Sequence, residues 1–354
     1  TIFLIFLENG GRGMNEAAVG IKPLLNKVAS GKTLNEKEAE NAFDIMMSGD
    51  ATPSQIGAFL MALRVRGESV EEITAAARIM RSKARSISAP KDAMDIVGTG
   101  GDGGGTLNIS TGAALVTAGC GITIAKHGNR ALSSRSGAAD VLGALGVNID
   151  CEMTKIEKSI RKAKFGFMMA PRHHSATRHV AGPRVELATR TIFNILGPLS
   201  NPAGVNRLLV GVFAREWVEP MAQVLGNLGA ERAWVVHGSD GLDELTTTGN
   251  SYVSALENGK ITNFQVSPSD AGIPIANPED LKGGDAKDNA EAMMAMLEGK
   301  LSAFRNIVIY TAGAALIVAD KAQNLKDGAE IAANAIDGGH AKRALEKLII
   351  ITNE

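Results

Sequence analysis

A chain of 354 residues, with 37 Lys plus Arg against 38 Asp plus Glu, is long enough for two domains, and its net charge of -1 creates no global field for nucleic acid or an anionic membrane. Two cysteines, Cys120 and Cys151, in a chain without Cys/His ligand spacing exclude a disulfide framework or zinc module and fit a reducing cytoplasm. Any anionic ligand must be held locally, and the 40 glycines, about 11% of the chain against ~7% in average proteins, are the residues able to do it.

Residues 1–7, TIFLIFL, are apolar but lack a basic segment before them and run into Glu8, which makes a poor secretory signal. Residues 1–13 read as a tag remnant or upstream sequence outside the fold. From Met14 to about Ala84 the pattern is helical. Thr33 with Glu36, and Ser69 with Glu72, have capping-box spacing, in which a hydroxyl and a carboxylate meet the unpaired N–H groups of a first turn. Thr52 before Pro53 reads as an N-cap followed by proline at the first helical position. Ile56, Phe59, Leu60 and Leu63 then recur at three and four residues, so a small helical module is expected over 14–88.

Beyond Pro90, short apolar runs alternate with Gly-rich turns and amphipathic stretches, which predicts an α/β domain with a mostly parallel sheet and crossover helices. Strands are expected over 94–97, 122–125, 165–170, 208–213 and 233–236. Asn258-Gly259 joins 251–256 to 261–266 in a hairpin, because both turn positions favour positive φ. Residues 136–145 read as a helix, and 177–196 are helical again and can rejoin the helical module. That leaves 89–176 and 197–354 as the α/β domain. The uncharged run 306–319 is about 14 residues and falls short of the ~20 needed to cross a bilayer.

Three segments carry chemistry. GTGGDGGGTLNIST (98–111) follows a predicted strand and opens a predicted helix, so free backbone N–H groups and a helix start can cradle phosphate. Gly98, Gly100 and Gly103 satisfy the dinucleotide fingerprint, but the acid expected about 20 residues on is replaced by Lys126-His127, and no Gly-Lys-Ser/Thr of a P-loop follows. KHGNRALSS (126–134) again follows a strand, and in a parallel sheet the two loops converge on one crevice. Asp243 and Glu244, after the strand at 233–236, suit Mg²⁺ held by one or two carboxylates and substrate phosphate oxygens. His173, His174 and His179 lack the i, i+4 spacing of a helical ligand pair and read as structural.

The ordered set GTGGDGGGTLNIST, KHGNRALSSRSGAADVLGALG, GPRVELATRTIFNILGPLSNPAG and ERAWVVHGSDGLDELTTTG resembles the anthranilate phosphoribosyltransferases of tryptophan biosynthesis, from about Met14 to the C-terminus. The resemblance implies a small helical domain hinged to a large α/β domain, a homodimer through the helical domain, and Mg²⁺-dependent transfer of phosphoribosyl from phosphoribosyl pyrophosphate (PRPP) to anthranilate. It places PRPP contacts on Gly98, Gly101, Asp102, Thr106, Asn108, Ile109, Ser110, Thr111, Lys126, His127, Gly128, Asn129, Arg130, Ala131, Leu132, Ser133, Ser134 and Ala138. Metal contacts fall on Ser110, Asp243 and Glu244; anthranilate contacts fall on Gly98, Asn129 and Arg184, with His174 near the same tunnel. Leu107, Ala188, Ser175 and Thr177 depart from the usual residues and bear on tunnel shape more than on reaction type.

No general base is assigned, since an aromatic amine is already largely unprotonated at neutral pH. A pyrimidine nucleoside phosphorylase shares this architecture, but the Asp102 loop and the intact KHGNR segment argue against it. A non-catalytic nucleic-acid-binding relative is opposed by the net charge and the retained Asp243-Glu244 pair.

Overall fold

The computed structural model describes residues 20–131 and 135–354, so the expectations for residues 1–13 and for Met14 lie outside the described residues. Four helices come first: α1 (Ile21–Ala29), α2 (Glu36–Ser48), α3 (Pro53–Arg66) and α4 (Val70–Ser82). Ser69 and Thr52 cap as the sequence predicts, each accepting from the backbone N–H three residues on. The third cap differs. Asn35, not Thr33, starts α2, accepting from Glu38 N at 3.0 Å while Glu38 accepts from Asn35 N at 2.8 Å. Burial of Leu34 immediately before Asn35 fixes the point of entry and overrides the Thr33–Glu36 spacing. Ile56, Phe59, Leu60 and Leu63 form the buried face of α3.

The α/β part holds seven strands: β1 (Met94–Gly98), β2 (Ile124–Gly128), β3 (Phe165–Met169), β4 (Arg207–Gly211), β5 (Arg232–Gly238), β6 (Ser251–Glu257) and β7 (Lys260–Val266). Their order is β3-β2-β1-β4-β5-β6-β7, parallel through β5 and antiparallel at the β6–β7 hairpin, where Asn258 and Gly259 take φ of 49° and 79°. Chain order runs one way from β1 to β3 and the other way from β4, so a crevice opens at the carboxyl ends of β1 and β4. The predicted strand at 122–125 is displaced to Ile124–Gly128. Lys126 and His127 read as loop because they are polar, yet they pair with Phe167 and Met168 in the sheet and are buried.

Crossover helices α5 (Ile109–Gly119), α6 (Ala138–Ala144) and α7 (Met153–Lys162) link the first strands. The helix expected at 136–145 is thus shorter, entered from extended Gly137. The single helical stretch expected at 177–196 is broken. A short α8 (Ala170–His173) precedes α9 (Arg178–Leu187), a turn occupies 188–192, and α10 (Phe193–Leu196) follows. The break falls at Ala188, whose φ of 48° ends α9 in the left-handed region. A β-carbon there costs about 1–2 kcal/mol, so Ala188→Gly is expected to raise unfolding stability by about 1 kcal/mol, measured by urea denaturation. α9 packs on α2 and α3. α11 (Val218–Asn227) lies beside β6 and α4, while α12 (Ala286–Leu297), α13 (Ala303–Val318), α14 (Leu325–Asp337) and α15 (His340–Asn353) complete the chain. The uncharged run at 306–319 lies largely in α13, a buried core helix against α5 and α14. No described helix is long and apolar enough to cross a membrane.

Candidate active site

A cavity of about 300 Å³ opens at the carboxyl ends of β1 and β2. It is lined by Gly98, Gly101, Asp102, Thr106, Asn108, Ile109 and Ser110 from the glycine segment, by Lys126 to Ala131, by Ala138 at the start of α6, and by Asp243 and Glu244 after β5. The loops expected to face one ligand therefore do meet. Thr111 departs from the expectation: it turns into the core as a fully buried residue of α5 and does not line the cavity. Leu132, Ser133 and Ser134 lie outside the described residues.

The glycine segment earns its composition in two ways. Gly100, Gly101, Gly103 and Gly105 all take positive φ, from 59° to 77°, which leaves a loop of backbone N–H groups with no side chains in the way. Gly98 and Gly211, paired in register at the ends of β1 and β4, serve close approach instead. A β-carbon on Gly98 would overlap the Asp243 carboxylate, and one on Gly211 would overlap its backbone carbonyl. Asp243 thus sits in a slot between two strands that carry no side chain there, and its carboxylate accepts from Gly100 N at 2.6 Å.

Glu244 accepts from Ser110 N at 3.1 Å, across the start of α5. Burial, then the neighbouring Glu244 and Asp102, hold the Asp243 carboxyl far above the usual carboxylate range. Burial likewise pushes Glu244 up to about 7, partly opposed by Lys126. Lys126, 1% exposed, donates to Ile96 O and approaches Ser110 Oγ at 3.5 Å. Raised carboxyls at buried Asp243 and half-buried Glu244 are groups whose ionised forms a divalent cation would favour. No cluster of three His, Cys, Asp or Glu side chains able to hold a metal exists among the described residues.

The second loop is fastened by Asp140, which accepts from Ala131 N at 2.8 Å, Gly137 N at 2.9 Å and the Arg130 guanidinium at 3.2 Å. The three-residue step from Gly137 to Asp140 was the available sequence signal for this role. Beneath the loop, His127 meets His174 with ring centroids 5.0 Å apart, both buried. Burial, reinforced by neighbouring histidines, depresses His127 to about 3 and His174 to about 4. Unfolded histidines accept protons near 6.5, before the folded ones do, so stability is lost as pH falls from about 6.5 towards 4. Urea titrations across that range are expected to show a decline of up to about 1.4 kcal/mol per pH unit for each histidine.

Arg184 does not line the cavity. α9 carries it over the Phe193 ring, 5.1 Å from the centroid, one residue before Asn194, which does line the cavity. Asn194, Ser136 and Gly137 are lining residues that motif reading passes over, since none carries a charge.

The helical-bundle domain of a glycosyl transferase family matches residues 22–84, and that family's a/b domain matches residues 90–342. The chain is 60% identical over 333 residues to the anthranilate phosphoribosyltransferase of Paramagnetospirillum magneticum, covering 94% of this chain and 96% of that protein. With that of Rhodospirillum rubrum it shares 61% over 331 residues, covering 94% and 95%. The chain belongs to the anthranilate phosphoribosyltransferases. It is therefore a glycosyl-transferring enzyme. Among anthranilate phosphoribosyltransferases of known structure, that of Thermus thermophilus superposes with a TM-score of 0.88 at 42% identity, covering 93% of this chain and 99% of that one. The Saccharomyces cerevisiae enzyme, solved in complex with PRPP and Mg, gives 0.86 at 29%, covering 94% and 98%.

Proposed function

We propose that the chain transfers the 5-phosphoribosyl group of PRPP to the amine of anthranilate, releasing pyrophosphate, as a step of tryptophan biosynthesis. The observation that carries this reading is the convergence of the glycine segment, the Lys126–Ala131 segment and the Asp243-Glu244 pair on one cavity. The yeast relative's complexes with PRPP and Mg, and with 4-fluoroanthranilate, support the substrate pair.

In this reading the backbone N–H groups of the glycine loop and the start of α5 receive the pyrophosphate, while Lys126 and Arg130 offset phosphate charge. Asp243, Glu244 and Ser110 would hold Mg²⁺, which when bound stabilises charge developing on the leaving pyrophosphate. Arg184 takes the anthranilate carboxylate, and Asn129, Gly98 and His174 border the acceptor. The amine needs no base to deprotonate it before attack. Catalysis comes mainly from bringing amine and C1' into line as the helical module, 14–88 with 177–196, closes on the α/β domain. Mixing the enzyme with anthranilate, PRPP and Mg²⁺ should extinguish anthranilate fluorescence. Persistence of the signal, with phosphorolysis of a pyrimidine nucleoside instead, would overturn the assignment.

A homodimer through the helical module belongs to the same reading. It is supported by Val65 and Val185, 83% and 77% exposed, on the mutually packed α3 and α9. Light scattering on the purified chain tests it, with a monomer as the contrary result. Cytoplasmic placement is supported by the free thiols of Cys120 and Cys151.

A further inference from the structure

Arg190 occupies the turn between α9 and α10, six residues after Arg184. Its guanidinium lies 4.1 Å from the centroid of Phe213, just past the end of β4. From there it donates to the carbonyl of Gly101, at the centre of the glycine loop. Phe213 is itself tied to the loop, because its N–H donates to Thr99 Oγ1 at 3.0 Å and Thr99 N donates to Gly211 O at 2.9 Å. One side chain thus joins three pieces of chain: the turn leading from α9, the end of β4 and the loop after β1.

Gly101 lines the cavity and Arg190 does not, so the arginine acts from behind the loop. Gly100 and Gly101 both sit at positive φ, and with no β-carbons their peptide units can swing at little cost. A phosphate tolerates N–H groups and repels carbonyl oxygens. In a planar trans peptide the Gly101 carbonyl and the Asp102 N–H point in opposite directions, so holding the carbonyl on Arg190 fixes the direction of that donor. The flat guanidinium suits the task because one face stacks on an aromatic ring while the edge donates.

We propose that Arg190 is a positioning residue for the donor site: it holds the glycine loop in its phosphate-receiving conformation and links that loop to the segment bearing Arg184. This rests on the reading of the cavity as the PRPP site.

Steady-state kinetics with PRPP and anthranilate varied in turn, beside thermal melting, test it on Arg190→Ala and Arg190→Lys. The alanine variant should raise KM for PRPP about 10- to 100-fold, the range of a lost charged hydrogen bond, with KM for anthranilate within about threefold. Arg190→Lys restores a donor but not the stack, and should recover to within about fivefold of wild type. A PRPP KM within twofold of wild type in the alanine variant would overturn the proposal. So would equal losses for both substrates that lysine fails to rescue, which is the pattern of general unfolding. If the alanine variant does not fold, Phe213→Leu, which keeps the guanidinium and removes its platform, should raise the PRPP KM about 3- to 10-fold, and an unchanged value would overturn it. Wild-type enzyme run alongside keeps the two readings apart: an inactive wild type would overturn the assignment of function and with it this role, whereas an active wild type with an unaffected alanine variant would overturn the role of Arg190 alone.

Discussion

Replacing Asp243 and Glu244 together with alanine is expected to reduce turnover by more than about 1,000-fold at saturating Mg²⁺ while leaving the fold intact. Losing a metal's stabilisation of a departing pyrophosphate removes several kcal/mol of barrier lowering, and each ~1.4 kcal/mol is a factor of ten. Stability should move the other way. Both carboxyls, that of buried Asp243 and that of half-buried Glu244, are held above their usual range by desolvation and by acidic neighbours, so in the absence of metal their charged forms are a burden on the native state. Without Mg²⁺ the double variant should melt no lower than wild type near pH 8. Mg²⁺ with pyrophosphate should raise the melting temperature of the wild type and leave that of the double variant unchanged. Retained activity across a Mg²⁺ titration would remove the pair from the metal site.

Truncating Arg184 to alanine is expected to cost about 10- to 150-fold in kcat/KM for anthranilate, the worth of a charged hydrogen bond of about 1.5–3 kcal/mol. An anionic aromatic acid must meet a local cation because the chain has a net charge of -1, and Lys126 and Arg130 line the cavity proposed for PRPP. Arg184 rests on Phe193, the residue before cavity-lining Asn194, which gives the guanidinium a fixed platform. The PRPP constant should change little. Equal losses for both substrates would show that Arg184 supports α9 against α10 instead. No loss for anthranilate would place the acceptor carboxylate elsewhere.

The parts of this molecule legible in sequence are those where one local rule decides. Asn258-Gly259 forces the hairpin, Ser69 and Thr52 cap their helices, and the strands at 94–98 and 165–169 are bounded by turn residues on both sides. Where a polar residue is satisfied by distant chain, the reading slips. Lys126 and His127 look like loop until Ile96 O and the Asp95 carboxylate, about 30 positions away, supply their partners. The break at Ala188 is invisible for a similar reason: alanine is a good helix former, and only tertiary packing places it in the left-handed region. In the site, charged and glycine-rich motifs announced the donor loops. Asn194 and Arg190 escaped because their contribution depends on what the turn at 188–192 lies against.

The absence of side chains at Gly98 and Gly211 works as a mould. The position of Asp243, its carboxylate against Gly98 and its carbonyl against Gly211, is cast by two missing methyl groups on neighbouring paired strands. The berth of this acid is therefore set in the framework before the acidic loop is reached. An engineer would gain little by exchanging Asp243 for a longer acid, because the strands leave that residue one berth. Relocating it would require recasting the sheet itself.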